Sequence, residues 1–108
     1  MDELEQFSIR LGKVKLNKCE DLRPCVIIEQ NNEKVYIMLI SSATSIKPPT
    51  YFLIKENSDD FATTGLKRTS YVLDEFLEVH GSQVDKYIGK LDGDLLEKFK
   101  NWIGFLDE

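Results

Sequence analysis

The chain is poor in metal-ligating and nucleophilic side chains. Its 108 residues include one histidine, His80, and two cysteines, Cys19 and Cys25. The cysteines are six positions apart, which is neither a CxxC pair nor half of a zinc site, and with one histidine no metal site is expected. A thiol nucleophile needs a histidine beside it, and His80 lies far along the chain from either cysteine. Long apolar runs are also missing. The longest uncharged one, Val35 to Ile40, is six residues, against the roughly 20 that a membrane helix needs. The acidic start, Met1-Asp2-Glu3-Leu4-Glu5, has no apolar stretch of the kind a secretory signal requires. A cytoplasmic location and two free thiols are therefore expected. There is no internal repeat, low-complexity segment or Ser/Gly linker. The net charge of −5 excludes a chain-wide basic footprint, so direct binding to duplex DNA is not expected.

What is present suits one domain spanning 1–108. Apolar residues make up 42% and charged residues 31%, a globular composition long enough for one core without staples. Charge is unevenly spread. Residues 1–55 hold eight Lys/Arg against seven Asp/Glu, whereas residues 56–108 hold six against twelve. This asymmetry points to the N-terminal half for any phosphate chemistry.

The patterning is mainly β with a helical end. Phe7, Ile9 and Leu11 alternate, as do Val14 and Leu16 beyond Gly12, predicting a strand with a kink or bulge at Gly12. Asn17 to Asp21 reads as a polar turn. Pro24 opens the run Cys25-Val26-Ile27-Ile28, and Glu29 to Glu33 reads as a hairpin connection to Val35–Ile40. Both runs are apolar at consecutive positions, so both faces should be covered. Ser41 to Thr50 and Asn57 to Thr64 read as loops. Tyr51–Ile54 is a short strand, and Ser70–Leu73 with Phe76–Val79 make a strand pair or one bent strand. Several closely spaced short strands favour a small barrel, because closure removes exposed edges. Gln83 to Lys90 reads as a short helical turn. Leu95, Leu96, Phe99, Trp102, Ile103 and Leu106 then form one helical stripe, with Asp92 as N-cap and Asp94 to Lys98 as an i,i+4 pair.

Two segments carry chemistry. Arg23 precedes a buried run and so stands at a sheet end, where rigid backbone holds a guanidinium suited to phosphate; pairing with Glu20 or Asp21 is the alternative. Ser41-Ser42-Ala43-Thr44-Ser45 places four hydroxyls after a buried strand, either to bind phosphate oxygens or to cap local backbone. His80, followed by Gly81, reads as a turn residue.

Four segments in order resemble the MazF/PemK toxins, the RNA-cleaving members of toxin–antitoxin pairs. Arg23-Pro24-Cys25-Val26-Ile27-Ile28 is similar to their RPxVV strand, and Gly65-Leu66-Lys67-Arg68-Thr69-Ser70-Tyr71-Val72 to a following glycine-led segment. Ile88-Gly89-Lys90-Leu91 with Asp94–Lys98 is similar to the entry into their last helix. Gly12 with Val14 matches their opening GdV, with Lys13 in place of the acid. The likeness runs from about Leu11 to Leu106. It implies a small SH3-like barrel with a C-terminal helix, a homodimer, an antitoxin partner and no cofactor.

The resemblance carries the phosphate-stabilising role onto Arg23 and the assisting hydroxyl onto Ser41. Glu20 takes the place of a glutamate in the loop before the arginine, though the loop is shorter here. In some members an acid stands near the later strand, where this chain has Asp74 and Glu75. Ser42, Thr44 and Lys18 are the expected substrate contacts. RNA can be cut by its own 2′-OH, so neither a protein nucleophile nor a metal is required. The expected activity is metal-free cleavage of single-stranded RNA, whose bases can be splayed out and read. The shortened loop and the acidic charge support the other reading, a catalytically weak barrel that binds nucleic acid or protein as a regulatory module.

Overall fold

The computed structural model describes residues 4–16, 19–42 and 51–106. The fold is mainly β: a curled antiparallel sheet, ordered β4-β5-β3-β2-β1-β7, with a C-terminal helix. Its strands are β1 (Ser8–Leu16), β2 (Cys19–Asn31), β3 (Lys34–Ser41), β4 (Tyr51–Ile54), β5 (Ser70–Leu73), β6 (Leu77–His80) and β7 (Val84–Lys90). A single helical turn, α1 (Phe61–Thr64), follows β4, and α2 spans Gly93–Leu106.

β1 and β2 form one long hairpin in unbroken register, from Ile9 opposite Val26 to Leu16 opposite Cys19. The segment expected as a polar turn is thus mostly strand, because backbone pairing with β1 overrides its weak β propensity. Pro24 consequently lies inside β2 and not at its start. It is tolerated because the ladder to β3 begins only at Cys25, so at Pro24 the strand has a partner on one side alone. The hairpin to β3 turns in two residues, Asn32 and Glu33, with Asn32 at φ 59°; asparagine is among the few residues that adopt this conformation readily.

β5 and β6 lie end to end along one edge of β3. Val72 faces Ile40 and Leu77 faces Ile37, so five steps on one chain match three on the other. The surplus is taken up in the bend at Asp74–Phe76. The segment expected as a helical turn is instead β7. It pairs with the free edge of β1, with register slips between Ile9 and Arg10 and between Arg10 and Gly12; the second adjoins Gly12, where a kink or bulge was expected, while the pairing with β2 runs through Gly12 unbroken. Before it, Gly81–Gln83 form a 3-10 turn.

The sheet buries both faces, as the apolar runs predict. On one side Ile9, Val26, Met38, Ile40, Phe52, Ile54 and Val72 pack with Phe61 of α1 and Leu95 and Phe99 of α2. On the other, Cys25, Ile27, Val35, Ile37 and Leu39 are covered by Leu4, Leu73, Leu77, Val79 and Val84. The helical stripe docks as predicted. Phe99 is fully buried, with ring centroids 5.2 Å from Phe52, 5.8 Å from Trp102 and 5.9 Å from Phe7. The start of α2 is capped from a distance. Leu95 N–H donates to Asp60 Oδ2 at 3.3 Å, while the Asp92 carboxylate accepts only from Gly93 N–H at 2.9 Å. Among the described residues the one contact between a carboxylate and a basic side chain is that of Glu33 with His80, so the Asp94–Lys98 spacing is not used.

Two glycines fix how α1 meets the sheet. Gly65 ends α1 at φ 73°, and a Cβ there would overlap the Ile88 carbonyl. A Cβ on Gly89 would overlap the backbone of Thr63 and Thr64. These positions lie in the second and third sequence motifs, and they let the end of α1 rest directly on β7.

Candidate functional site

The ladder between β2 and β3 stops at Cys25–Leu39. Beyond it β3 turns its other edge to β5, with Ile40 and Ser41 facing Val72 and Tyr71, while Arg23 and Pro24 stay paired with Gly12 and Leu11 of β1. The two strands part, and a cleft of about 770 Å³ opens where they do. That volume is typical of a ligand site.

Arg23 and Pro24 line the cleft from β2, and Ser41 and Ser42 from the end of β3. Leu11, Ile40, Leu66 and Ile88 supply apolar surface, and Lys67, Arg68 and Lys86 stand opposite the strand ends. Four cations line the site among the described residues, and none of the described lining residues is an aspartate, glutamate or histidine. Such a cleft favours an anion. Phosphates suit it, since arginine offers a planar fork to two oxygens at once.

Arg23 is half-buried, and its Nε is buried without a hydrogen-bond partner among the described residues. An unpaired buried donor costs about 1–3 kcal/mol, and an oxyanion in the cleft would relieve that cost. Across the ladder from Arg23 stands Gly12, so no side chain on β1 competes for its space.

The sequence-predicted residues separate into three groups. Arg23, Ser41 and Ser42 come together in the cleft. Glu20 belongs to β2, opposite Lys15, with its side chain outside the described set, and Lys18 and Thr44 lie outside the described residues. Asp74 and Glu75 sit in the bend between β5 and β6 and do not line the cleft.

His80 caps the 3-10 turn. Its Nδ1 accepts from Ser82 N–H at 3.1 Å and meets Ser82 Oγ at 2.8 Å, leaving Nε2 to face the Glu33 carboxylate at 3.2 Å. Cys25 is a free, fully buried thiol. Burial pushes its pKa up to about 12, so it stays protonated and unreactive at neutral pH. No cluster of three or more His, Cys, Asp or Glu gathers among the described residues.

Arg23, Ser41 and Ser42 of the cleft lie in the N-terminal half, where phosphate chemistry was expected, but three of its four described cations, Lys67, Arg68 and Lys86, come from the acidic half. Topology brings them there. β7 lies beside β1, and the close approach of Gly65 to Ile88 accompanies Lys67 and Arg68 lining the same cleft as the strand ends. The adjacent cations after Gly65 were the available sequence signal; nothing local in the sequence points to Lys86.

The wider likeness agrees with this geometry. The pattern of the PemK-like, MazF-like toxin of type II toxin-antitoxin system matches residues 5–106. No curated protein sequence matches the chain. Among solved structures, an endoribonuclease in complex with its cognate antitoxin from a mycobacterial species shares the fold at TM-score 0.70 and 13% identity, over 98% of this chain and 94% of that one. The Mycobacterium tuberculosis toxin MazF-mt6 does so at TM-score 0.68 and 18% identity, over 93% of this chain and 95% of that one. A match across nearly the whole length takes in the parted strands, the glycine contact and the final helix together: the chain belongs to the PemK/MazF-like toxin family of type II toxin–antitoxin systems.

Proposed function

We propose that the chain, working as one domain, is a toxin-type endoribonuclease that cuts single-stranded RNA without a metal in the cytoplasm and is restrained by a cognate antitoxin. The observation that carries this reading is the buried, unpartnered Nε of Arg23 beside the Ser41 strand end, in a cleft lined by four cations. The 2′-OH of the RNA attacks the adjacent phosphorus and the 5′-oxygen leaves, giving a 2′,3′-cyclic phosphate and a 5′-hydroxyl. Charge grows on the non-bridging oxygens, where Arg23 stabilises it and the Ser41 hydroxyl assists. Glu20 takes the 2′-OH proton, and the leaving 5′-oxygen takes a proton from solvent water. Ser42, Thr44 and Lys18, with Lys67, Arg68 and Lys86, hold the flanking backbone.

The cleft also favours a second reading. With no described lining residue a carboxylate or imidazole, it suits binding without cleavage, as in a regulatory module. Incubating purified protein with a long single-stranded RNA separates the two. The expected result is cleavage that survives EDTA and leaves cyclic-phosphate ends. Loss in EDTA with recovery on adding a divalent metal would sink the metal-free mechanism, and binding without cleavage would favour the module.

The chain is further proposed to act as an isologous homodimer. The central strands are covered within one chain, while the helical stripe is buried at Leu95 and Phe99 and half-buried at Leu96, Trp102, Ile103 and Leu106. Large apolar side chains left outside include Leu22 (51% exposed), Phe76 (40%) and Phe105 (67%). Sedimentation at micromolar concentration should give twice the chain mass; a clean monomer refutes the dimer.

A further inference from the structure

The β1–β2 register makes a square on one sheet face. Arg10 is opposite Cys25, and Gly12 is opposite Arg23. Cross-strand partners share a face, and so do residues two apart on a strand. The two arginines therefore occupy one diagonal, about 7–8 Å apart by the usual strand geometry. The other corners hold a glycine and a small, fully buried cysteine, so no bulky side chain stands between the guanidinium groups.

Both arginines have the same irregularity. Their Nε atoms are the two buried side-chain polar atoms without a hydrogen-bond partner among the described residues. Among the described residues neither arginine is in an ion pair. Arg10 is nevertheless held in place. One terminal nitrogen donates to the Asp85 carbonyl at 3.3 Å, and its guanidinium lies over the Tyr87 ring, 5.5 Å from the centroid. Tyr87 is 45% exposed, so this side of the hairpin is open to a ligand. Arg10 does not line the cleft. It lies one strand beyond Arg23, on the sheet face that the two arginines share.

We propose that Arg10 is a second phosphate-binding residue, gripping the backbone of the RNA strand next to the phosphate held at Arg23, with Tyr87 positioning its guanidinium. This rests on the reading of Arg23 given above. Two uncompensated guanidinium groups with orphan donors on one rigid hairpin are what a polyanionic strand requires and an isolated fold does not.

The test is equilibrium binding of a fully 2′-O-methylated single-stranded RNA, which binds without being cut, over a series of salt concentrations. Arg10→Met keeps the buried stem and removes the charge. It is expected to weaken binding about tenfold and to lower the slope of log K against log salt by about 0.7. Arg10→Lys should restore the slope but only part of the affinity, because an ammonium lacks the fork. Lys98→Met, on exposed α2, should change neither. Wild-type affinity and slope in Arg10→Met, with wild-type protein that binds and cuts RNA, overturn this inference alone. A wild-type protein that does not bind RNA overturns the underlying reading as well. Should Arg10→Met fail to fold, Arg10→Lys and Tyr87→Leu decide: unchanged affinity in both refutes the role.

Discussion

Arg23→Ala is expected to lower the rate of RNA cleavage by about 10²- to 10³-fold, a loss of roughly 3–4 kcal/mol of transition-state stabilisation. The guanidinium is fixed by β2 at the point where β2 and β3 part, and its Nε has no partner among the described residues. It is therefore preorganised for an oxyanion. Because the interaction strengthens as charge develops, kcat and kcat/KM should fall together. The fold should survive. Arg23 belongs to neither core cluster, and removing a buried donor that lacks a partner removes a cost, so the melting temperature should stay near that of the parent. Ser41→Ala should cost less, since a hydroxyl carries no formal charge. Single-turnover cleavage with thermal denaturation on the same samples checks both. Near-full activity in Arg23→Ala, with activity lost in Glu20→Ala, would move the main role from Arg23 to Glu20.

Where burial dictates the pattern, the sequence is readable. The apolar runs of β2 and β3 predict two covered faces, and Ile27 and Met38 lie fully buried on opposite ones. The stripe from Leu95 to Leu106 predicts a docked helix because 3.6-residue periodicity has no other use there. Reading fails where pairing decides. Cys19 to Asp21 look like a turn until β1 supplies hydrogen bonds along their length. Val84 to Lys90 have too few apolar residues to be recognised as a strand, and the free edge of β1 makes them one. The cap on Leu95 comes from Asp60, 35 residues upstream, a contact no local rule predicts.

The site divides in the same way. Arg23 and Ser41 are legible because each ends or begins a buried run, which marks a sheet end. The other cations are not, because each is ordinary in its own stretch of sequence. Lys86 looks like a solvated strand residue, and Arg10 like an alternating polar position. Only the register shows that Arg10 stands diagonally from Arg23, and only the stacking of α1 on β7 shows that Lys67 and Arg68 face the strand ends. Charge counted along the chain therefore gave the wrong half for the cleft's cations.

That stacking depends on two glycines, and Gly89→Ala is expected to destabilise the protein by about 3 kcal/mol, the upper range for an overfilled site. The added Cβ would meet backbone atoms of Thr63 and Thr64, which cannot rotate away as a side chain would. For a domain of this size the melting temperature should fall by roughly 10–20 °C. Gly65→Ala should do at least as much. Its Cβ would overlap the Ile88 carbonyl, and its φ of 73° adds about 1 kcal/mol for any residue with a side chain. Gly104→Ala is the internal control. Nothing lies within 4 Å of a Cβ there, and the position is helical, so alanine should stabilise by about 0.5–1 kcal/mol. Melting curves followed by circular dichroism read all three. If Gly89→Ala melts with Gly104→Ala, the close approach of α1 to β7 is wrong, and with it the placement of Lys67 and Arg68 over the cleft. If the glycine variants melt early but are still folded at low temperature, their RNA affinity should fall there too. The contact that fails is the one holding two of the cleft's four cations in position.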